Sequence, residues 1–283
     1  MITFAVVGHN EESSLGDALA LADAAAGPGD AVTFLDSGST DGSAAVATAL
    51  GHAVFPAPIG KGRAMRSLLA NVATPWVCFL DADILGAQRN IAAQLAEAVR
   101  SSPDAPMILG DFTDREGSGV LSNTWTVYEP MVAALFPEIS GTLGAHPLTG
   151  FRAVRTDAVG PVRALPPTFG VEAHLNVVAA QVSPAIPVVD LGWYRGRFTY
   201  KPAMGWEIAD ALLDLAVRLG RLAAGDLNAW WRWTLEATAV IATYHGHASE
   251  VAAFVPRLAH LRARATPSGP VHLPPLPAIS APS

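Results

Sequence analysis

The sequence predicts an α/β fold in which a mostly parallel β-sheet is followed by a C-terminal helical region. Short apolar segments alternate with helical segments between residues 2 and 111, as in right-handed βαβ units. Several apolar segments end directly in acidic and hydroxyl side chains, which is typical of the sheet edge where open α/β folds bind ligands. Hydrophobic residues make up 51% of the 283 residues and charged residues 15%, so the chain can bury a large core.

The predicted elements follow one another in a regular order, set by apolar periodicity and by glycine and proline. β-strands are predicted at residues 2–8, 31–36, 52–55, 76–80 and 107–111, and helices at 11–26, 41–50, 63–73 and 88–100. Breaks at 27–30 and 101–104, which both contain proline, each separate a helix from the next strand.

The region after residue 200 is predicted to be helical, with helices at 206–222, 227–244 and 248–264. The second of these contains an aromatic cluster at 230–233, of a kind that packs a core or a dimer interface more often than it binds a ligand. Proline recurs among small residues after the last helix, so a disordered or extended tail is expected at 265–283. We therefore predict a domain at 1–200, a helical region at 201–264 and this tail, assembled as a homodimer.

Composition argues against several classes of function. The formal net charge is −7 and the sequence has no Lys/Arg cluster, which disfavours nucleic acid as a partner. Cys78 is the single cysteine, so no disulfide framework and no cysteine-based metal site can form, and a reducing cytoplasm is the expected compartment. No window approaches 18 uncharged apolar residues, and no basic region precedes the first strand, so neither membrane spanning nor export is expected. The G-x-G-x-x-G turn and the P-loop motif are absent, which disfavours Rossmann dehydrogenases and P-loop NTPases.

Two carboxylates, Asp81 and Asp83, follow the predicted buried strand at 76–80. Oxygen ligands one residue apart suit a hard divalent cation such as Mg²⁺ or Mn²⁺, which would neutralise a diphosphate bound in the same crevice. An Asp-x-Asp pair alone is weak evidence, because about one is expected by chance in such a chain. Its position at a strand end favours a nucleotide site.

Lys61, one of two lysines in the chain, lies between Gly60 and Gly62 just before the helix that leads to this strand. Glycines on both sides let the backbone approach a phosphate closely. A solvated lysine in a turn is the alternative, and this segment alone supports the two about equally.

Polar residues also follow the first two strands. Asn10, Glu11 and Glu12 come after the first strand, and Asp36 at the end of the second is followed by a Ser-Gly-Ser turn. Asp36 could accept hydrogen bonds from a base or ribose, although alone it is more simply a turn residue. Polar residues at three successive strand ends are together strong evidence for a ligand site.

Together these segments resemble the glycosyltransferase A fold of family-2-like enzymes, most closely the retaining glucosyl-3-phosphoglycerate synthase and mannosylglycerate synthase group. The resemblance covers about residues 3–195 and implies a Rossmann-like, mostly parallel sheet. The motifs that match are NEE at 10–12, DSGSTDGS at 36–43, GKG at 60–62, FLDAD at 79–83, PLTGFRAVR at 147–155, FGVE at 169–172 and DLG at 190–192.

This resemblance implies a role for each matching residue. Asp83 would ligate the metal ion, and Asp81 would hold ribose or sugar and metal-bound water. Glu172 would orient or deprotonate the acceptor hydroxyl, and a carboxylate favoured by a helix N-terminus is the compatible alternative. The UDP-sugar donor would be bound by Asn10, Glu11, Asp36, Ser37, Gly38, Lys61, Asp81, Ala82, Thr149 and Gly150.

The sequence departs from the family pattern at the metal site. The family motif D/N-L-G-x-x-x-H supplies a histidine ligand, whereas DLG at 190–192 is followed here by WYRGR at 193–197. Arg195 and Arg197 are alternative sources of positive charge for the diphosphate.

A second departure lies at the acceptor. The family's glycine-rich loop carries an arginine that holds phosphoglycerate, but residues 117–124 contain none. A buried phosphate without a cationic partner is costly, so the acceptor is expected to lack the phosphate or to be another molecule. The acceptor contacts we expect are Ser122, Asn123, Thr124 and Arg152.

The function implied by the resemblance is metal-dependent transfer of a hexose, with glucose favoured, from a UDP-sugar to a small polar acceptor. Retention of configuration and a glycerate-type acceptor are part of that implication. Two alternatives stay open. One is a polyprenyl-phosphate glycosyltransferase that uses a UDP- or GDP-sugar, although the sequence lacks a basic amphipathic helix. The other is a nucleotide-sugar-binding scaffold that has lost turnover with its histidine.

Overall fold

The structure, a computed structural model, describes residues 1–114, 123–197, 201, 203–244 and 273–280. Within these residues the strands β1 to β8 span Ile2–Gly8, Ala31–Asp36, Ala53–Pro56, Trp76–Asp81, Ile84–Ala87, Met107–Asp114, Arg152–Arg155 and Val188–Gly196. The helices α1 to α8 span Leu15–Ala25, Ser43–Ala49, Lys61–Leu69, Ile91–Ser101, Glu129–Leu135, Gly170–Val182, Met204–Arg218 and Leu227–Tyr244. A π-helical turn, Thr124–Tyr128, precedes α5, and a 3₁₀ turn, Val162–Ala164, lies between β7 and α6.

The eight strands form one sheet in the order β3-β2-β1-β4-β7-β6-β8-β5. The half from β3 to β4 is entirely parallel. In the other half, β7 is antiparallel to β4 and β6, β6 and β8 are parallel, and β5 is antiparallel to β8. The predicted α/β fold with a mostly parallel sheet is thereby confirmed, and the antiparallel pairings are confined to one half.

Sequence patterns located the parallel half closely. Strands β1 and β2 have the predicted bounds, and β3, β4 and β6 differ by a few residues at their ends. Helix α1 begins at Leu15 rather than at residue 11, because the carbonyl of Glu11 accepts hydrogen bonds from the N–H groups of Ser14 and Leu15. Residues 11–14 therefore form the turn that starts the helix.

Strands β5, β7 and β8 have no counterpart among the predicted strands. β5 and β7 are four residues each, β5 contains a glycine, and β7 begins and ends with arginine, so neither gives a clear strand signal. Both pair antiparallel with residues distant in sequence, and such pairing depends on tertiary packing more than on local propensity.

The core that supports the functional edge lies between the sheet and helices α1 and α4. Phe4 and Val6 of β1, Leu15 and Leu19 of α1 and Leu95 of α4 are fully buried in it. Burial of a large apolar side chain contributes roughly 1.5–3 kcal/mol to folding, so the strand ends rest on a rigid base.

Packing divides the chain into two compact units. The first unit comprises Met1–Asp114 and Leu143–Arg197 and contains the whole sheet, and the second comprises Arg115–Thr142 and Phe198–Ser283. The domain limits read from the sequence, at residues 200 and 264, stay predictions. No helix in the described ranges is long and apolar enough to cross a membrane.

Tryptophans of the aromatic cluster pack inside the second unit. Trp230 and Trp233 of α8 are buried, and Trp231 stacks on Trp206 of α7 with ring centroids 5.4 Å apart. The indole N–H of Trp233 donates to the carbonyl of Pro274, 3.0 Å away, in the irregular segment 273–280. These tryptophans therefore form part of the core of the second unit. The predicted homodimer remains a prediction. The predicted helix at 248–264 and the tail residues 265–272 and 281–283 lie outside the described residues.

Candidate active site

The carboxyl ends of β1, β2 and β4 meet at one edge of the sheet, because the three strands are parallel neighbours. The register pairs Gly8 of β1 with Asp36 of β2, and Val7 of β1 with Asp81 of β4. Only glycine fits at position 8, since a Cβ there would lie 2.8 Å from the Cβ of Ala82. The two aspartates therefore flank the end of β1.

Lys61 lies between two carboxylates in this region. Its Nζ is 2.7 Å from Oδ1 of Asp81 and 2.7 Å from Oε1 of Glu172. The exposed fraction of the side chain is 11% for Lys61, 28% for Asp81 and 2% for Glu172. Burial alone would lower the pKa of Lys61, but the two carboxylates raise it above its ordinary value, so the amine stays charged. A solvated lysine in a turn is thereby ruled out.

Glycines on each side of this lysine allow two backbone segments to touch. A Cβ on Gly62 would overlap the carbonyl oxygen of Pro166, and Gly60 has a φ of 135°, which side chains disfavour. The N–H of Arg63 donates to the carbonyl of Pro167 at 3.0 Å. The start of α3 is thus held against the loop that leads into α6, which explains how the lysine and the glutamate meet.

Gly150, at the end of the 145–150 loop, packs against Asp81. A Cβ on Gly150 would overlap the carboxylate of Asp81, so the loop can approach only because the residue is glycine. Thr149 beside it is buried, and its hydroxyl accepts a hydrogen bond from the N–H of Phe151 at 3.0 Å. Gly150 therefore lies directly beside Asp81, and the predicted role of Thr149 and Gly150 in the sugar pocket stays a prediction.

Arg152 is completely buried behind this loop. Its guanidinium donates to the carbonyls of Thr149 and Glu172 and to Oδ1 of Asn176, at 2.6, 3.2 and 3.2 Å. A guanidinium used in this way joins the loop to α6 and does not face a solvent-borne ligand. We therefore replace its predicted acceptor contact with a supporting role.

A second buried pair, which the sequence did not point to, supports the same loop. Nδ1 of His146 lies 2.6 Å from Oδ1 of Asp111, and the N–H of Ala145 donates to Oδ2 at 2.9 Å. Burial acts to raise the pKa of Asp111, but the hydrogen bonds from His146 and Ala145 lower it overall. The only signal in the sequence is a histidine directly before the PLTG motif.

The polar residues after β1 and β2 bind each other. Asn10 has a left-handed φ of 59°, and its Oδ1 accepts a hydrogen bond from the N–H of Thr40 at 2.7 Å. Oδ1 of Asp36 accepts from the N–H of Ser39 at 2.8 Å, as expected of a turn residue, and the hydroxyl of Ser37 accepts from the N–H of Gly60 at 2.9 Å. These bonds fix both loops and tie them to the GKG segment.

Arg195 and Arg197, near the end of β8, each contact a group of the protein itself. Arg197 pairs with Glu11, with Nη1 3.2 Å from Oε2, and Arg195 donates to the carbonyl of Leu85 at 3.3 Å. Glu11, one of the predicted donor ligands, is thereby neutralised by a cation from the far half of the sheet.

Tyr194 of β8 contacts the second predicted metal ligand. Its hydroxyl donates to Oδ1 of Asp83 at 3.4 Å, and its ring packs edge-on against Phe112 and Phe151. Counted along D-L-G-x-x-x-H, the family histidine corresponds to Gly196, and a Cβ on Gly196 would overlap the Tyr194 hydroxyl. The tyrosine thus fills the space into which a side chain at 196 would project, and the sequence pattern gave no sign of this.

The donor atoms of the strand end fit a divalent cation with few protein ligands. Asp81 and Asp83 supply carboxylate oxygens, the chemistry that Mg²⁺ and Mn²⁺ prefer, and Mg²⁺ is often held by one or two carboxylates plus substrate phosphates. In the described ranges, no group of three His, Cys, Asp or Glu side chains could hold a metal ion. The residues present therefore fit an ion that completes its coordination with a diphosphate and water.

Of the other predicted acceptor residues, Asn123 and Thr124 lie in the second unit. Thr124 is buried and begins the π-helical turn, Asn123 precedes it, and Ser122 lies outside the described residues. Single π-helical turns are frequent at functional sites. The acceptor assignments of these three residues stay predictions.

Comparison with known proteins supports the resemblance seen in the motifs. The family model described as Glycosyl transferase family 2 matches residues 3–122. Comparison with curated proteins finds no match. The chain has the glycosyltransferase A fold.

Solved structures similar to this chain include glucosyl-3-phosphoglycerate synthase from Mycobacterium tuberculosis. Its complex with phosphoglyceric acid is 25% identical, with a TM-score of 0.66 over 76% of this chain and 79% of that chain. Its complex with Mn²⁺, UDP-glucose and phosphoglyceric acid is 24% identical, with the same TM-score and coverage. A mycobacterial protein is 26% identical, with a TM-score of 0.67 over 80% of this chain and 76% of that chain. The predicted resemblance to this group is confirmed.

Proposed function

We propose that this protein transfers a hexose, with glucose favoured, from a UDP-sugar to a small polar acceptor with retention of configuration. The observation that carries the proposal is the meeting of Lys61, Asp81 and Glu172, which come from three separate segments, at the carboxyl edge of the sheet. Support comes from the family 2 match and from the similar structure that holds Mn²⁺, UDP-glucose and phosphoglyceric acid.

The donor would lie across the ends of β1, β2 and β4. Asp36 would accept hydrogen bonds from the ribose or base, and Lys61 would face the diphosphate. Gly150, which lies against the carboxylate of Asp81, would let the sugar approach the backbone closely. The remaining donor contacts in the proposal are Asn10, Glu11, Ser37, Gly38, Ala82 and Thr149.

Departure of UDP is the step that this site would assist. Cleavage of the anomeric C–O bond leaves negative charge on the β-phosphate, and the buried ammonium of Lys61 is already oriented to meet it. When bound, Mg²⁺ or Mn²⁺ on Asp83 and Asp81 would supply further positive charge to the leaving diphosphate. Tyr194 would hold Asp83 in the orientation that this requires.

Glu172 would act on the acceptor. One of its oxygens bonds to Lys61, which orients the carboxylate so that the other can accept a hydrogen bond from the attacking hydroxyl. Retention implies attack from the face that UDP leaves. The acceptor would be a small acid of the glycerate type, in contact with residues from the segment that includes Ser122, Asn123 and Thr124.

The test is a transfer assay with UDP-glucose and a panel of small acids, with and without Mn²⁺, in which NMR reports the anomeric configuration of the product. Asp83→Ala is expected to abolish transfer and to leave the unfolding midpoint within 2 °C of wild type, on the order of 0.5 kcal/mol. Asp157→Ala, at an exposed aspartate on the same unit, is the matched control and should behave as wild type.

Three results would redirect the proposal. Full turnover by Asp83→Ala would remove its metal role. UDP-glucose binding without any turnover would favour the scaffold alternative. Transfer to a polyprenyl phosphate, but to no small acid, would favour the lipid-linked alternative.

A further inference from the structure

A cleft on the outer face of α3 is lined by three arginines, Arg63, Arg66 and Arg163. Its volume is about 390 Å³, and its other walls are formed by small or apolar side chains that include Pro56, Pro58 and Ser67. No carboxylate lines it, and neither Asp81 nor Glu172 contributes to it. It is therefore separate from the strand-end site.

Three arginines lie together in this cleft, although the formal net charge of the chain is −7. In the described part of the chain, none of the three cleft arginines forms an ion pair. By contrast, six other arginines each lie within 4.0 Å of a carboxylate oxygen, namely Arg89, Arg100, Arg155, Arg197, Arg218 and Arg221. The cleft thus concentrates uncompensated positive charge on an acidic protein.

Two of these guanidiniums are already oriented by the backbone. Nη2 of Arg66 donates to the carbonyl of Arg163 at 3.0 Å, and Nη1 of Arg63 donates to the carbonyl of Ile59 at 2.5 Å. A guanidinium has five donors, so a single bond to a carbonyl leaves others for a ligand. Because oriented side chains lose less conformational entropy when they bind, the cleft is partly preorganised.

The chemistry of the cleft suits a phosphate group. Arginine binds phosphate through paired N–H donors, and three guanidiniums can compensate a dianion. The volume exceeds what phosphate alone needs and lies in the range of small-molecule sites, while the prolines offer apolar surface to an organic part. We propose that this cleft binds the phosphate group of a small phosphomonoester, as a second ligand site distinct from the donor site.

The position of the cleft gives such binding a consequence. One wall is α3, whose first residue is Lys61, and the other is the 3₁₀ turn Val162–Ala164, which leads through the Pro166 loop to Glu172. A phosphate bonded to both walls would hold α3 and this turn together. Occupancy would therefore stabilise the Lys61–Glu172 pair and change the affinity of the strand-end site for UDP.

The test is a calorimetric titration with inorganic phosphate, at constant ionic strength maintained with sodium chloride, in the presence of saturating UDP. Wild type should still bind phosphate, and Arg63→Gln/Arg163→Gln should weaken binding at least tenfold. Arg89→Gln/Arg100→Gln removes the same charge from exposed arginines that already have carboxylate partners, and should stay within twofold of wild type. Arg66 is left intact because it joins the two walls.

Further titrations distinguish an organic phosphate ligand from free phosphate, and test whether binding in the cleft changes the affinity for UDP. Tighter binding of glucose 6-phosphate than of inorganic phosphate supports an organic ligand, and equal affinity supports free phosphate in the same site. The site is overturned if Arg63→Gln/Arg163→Gln binds phosphate as wild type does, or if UDP displaces phosphate completely. Phosphate binding that leaves UDP affinity unchanged would overturn the coupling. These readouts need no turnover, so failure of the transferase proposal would not decide them.

Discussion

Asp81 and Asp83 are one residue apart, yet they have different kinds of partner. Asp81 meets Lys61 and the backbone of Gly150, both of which belong to motifs that the sequence made visible. Asp83 meets the hydroxyl of Tyr194, in a segment where the sequence showed only that a histidine was missing. The first environment follows the family pattern and the second does not.

This difference shows that the absence of the family's histidine need not leave an empty space beside Asp83, because Tyr194 fills it. The aromatic ring of Tyr194 is anchored by Phe112 and Phe151, so its hydroxyl is held against the carboxylate rather than free to move. A phenol is a weaker metal ligand than imidazole but a good hydrogen-bond donor. The Asp83 side of the site is therefore built to orient a carboxylate, and the Asp81 side to balance charge.

The strongest test of the Asp81 side is Lys61→Met. Removal of the ammonium leaves two carboxylates facing each other, one of them 2% exposed, so the free energy of unfolding should fall by about 3 kcal/mol. Turnover of UDP-glucose should fall at least about 100-fold, because a buried cation at the diphosphate is lost. Urea denaturation and an activity assay measure the two effects.

Arg100→Met, at an arginine whose side chain is 54% exposed, is the charge-matched control for this change and should alter stability by less than about 0.5 kcal/mol. Lys61→Met/Glu172→Gln should recover part of the lost stability without recovering turnover. Equal stability of the single variant and wild type would contradict the charge-balancing role of Lys61.

Gly150→Ala tests the close approach of the loop to Asp81. A methyl group there overlaps the carboxylate, so the loop must move, and UDP-sugar affinity and turnover together should fall about 10- to 100-fold. Isothermal titration with UDP and steady-state kinetics measure this. Gly16→Ala, in α1, would make only an ordinary contact with Leu50 and should keep wild-type affinity. An unaffected Gly150→Ala would show that the loop lies elsewhere when substrate is bound.

Two variants test the Asp83 side, with smaller expected effects. Tyr194→Phe removes the hydrogen bond to Asp83 and should weaken Mn²⁺-dependent UDP binding about 10-fold, the lower end of the effect common for residues that orient a metal ligand. Gly196→Ala should lower the free energy of unfolding by about 1–3 kcal/mol, because the methyl group overlaps the tyrosine hydroxyl. Gly86→Ala in the neighbouring β5 makes only ordinary contacts and is the control. If Tyr194→Phe bound Mn²⁺ and UDP as wild type does, the orienting role would be lost.

The smallest expected effect concerns Asp111, which supports the 145–150 loop. Burial acts to raise the pKa of Asp111, but hydrogen bonds from His146 and Ala145 hold it below its ordinary value in the folded protein. The pair with His146 therefore stabilises the fold above about pH 4 and loses this contribution as the pH falls further. Asp111→Asn should therefore cost on the order of 1 kcal/mol at pH 6 and progressively less towards pH 3. Urea midpoints between pH 3 and 7 measure the trend, and Asp157→Asn, at a carboxylate 73% exposed, should show almost none of it. A cost that does not change with pH would contradict the assignment.

Sequence reasoning succeeded where the structure is local and parallel. The strand ends at Asp36 and Asp81 could be located because apolar strands, breaks and polar ends alternate in order along the chain. It did not find β5, β7 and β8. Strands β5 and β7 depend on antiparallel pairing with segments distant in sequence, and β8 pairs with β5 and β6, which are also distant in sequence. It also assigned Arg152 to the acceptor, because an arginine in a motif gives no sign of whether it faces solvent or four buried acceptors.

The packing of Tyr194 over Gly196 also constrains how this protein could change over time. A histidine introduced at 196 alone would collide with a phenol that two aromatic rings hold in place. Loss of the phenol alone would leave Asp83 without its hydroxyl partner. A lineage that acquired the histidine would have to cross one of these two disadvantaged intermediates, so the order of substitutions at the two positions matters.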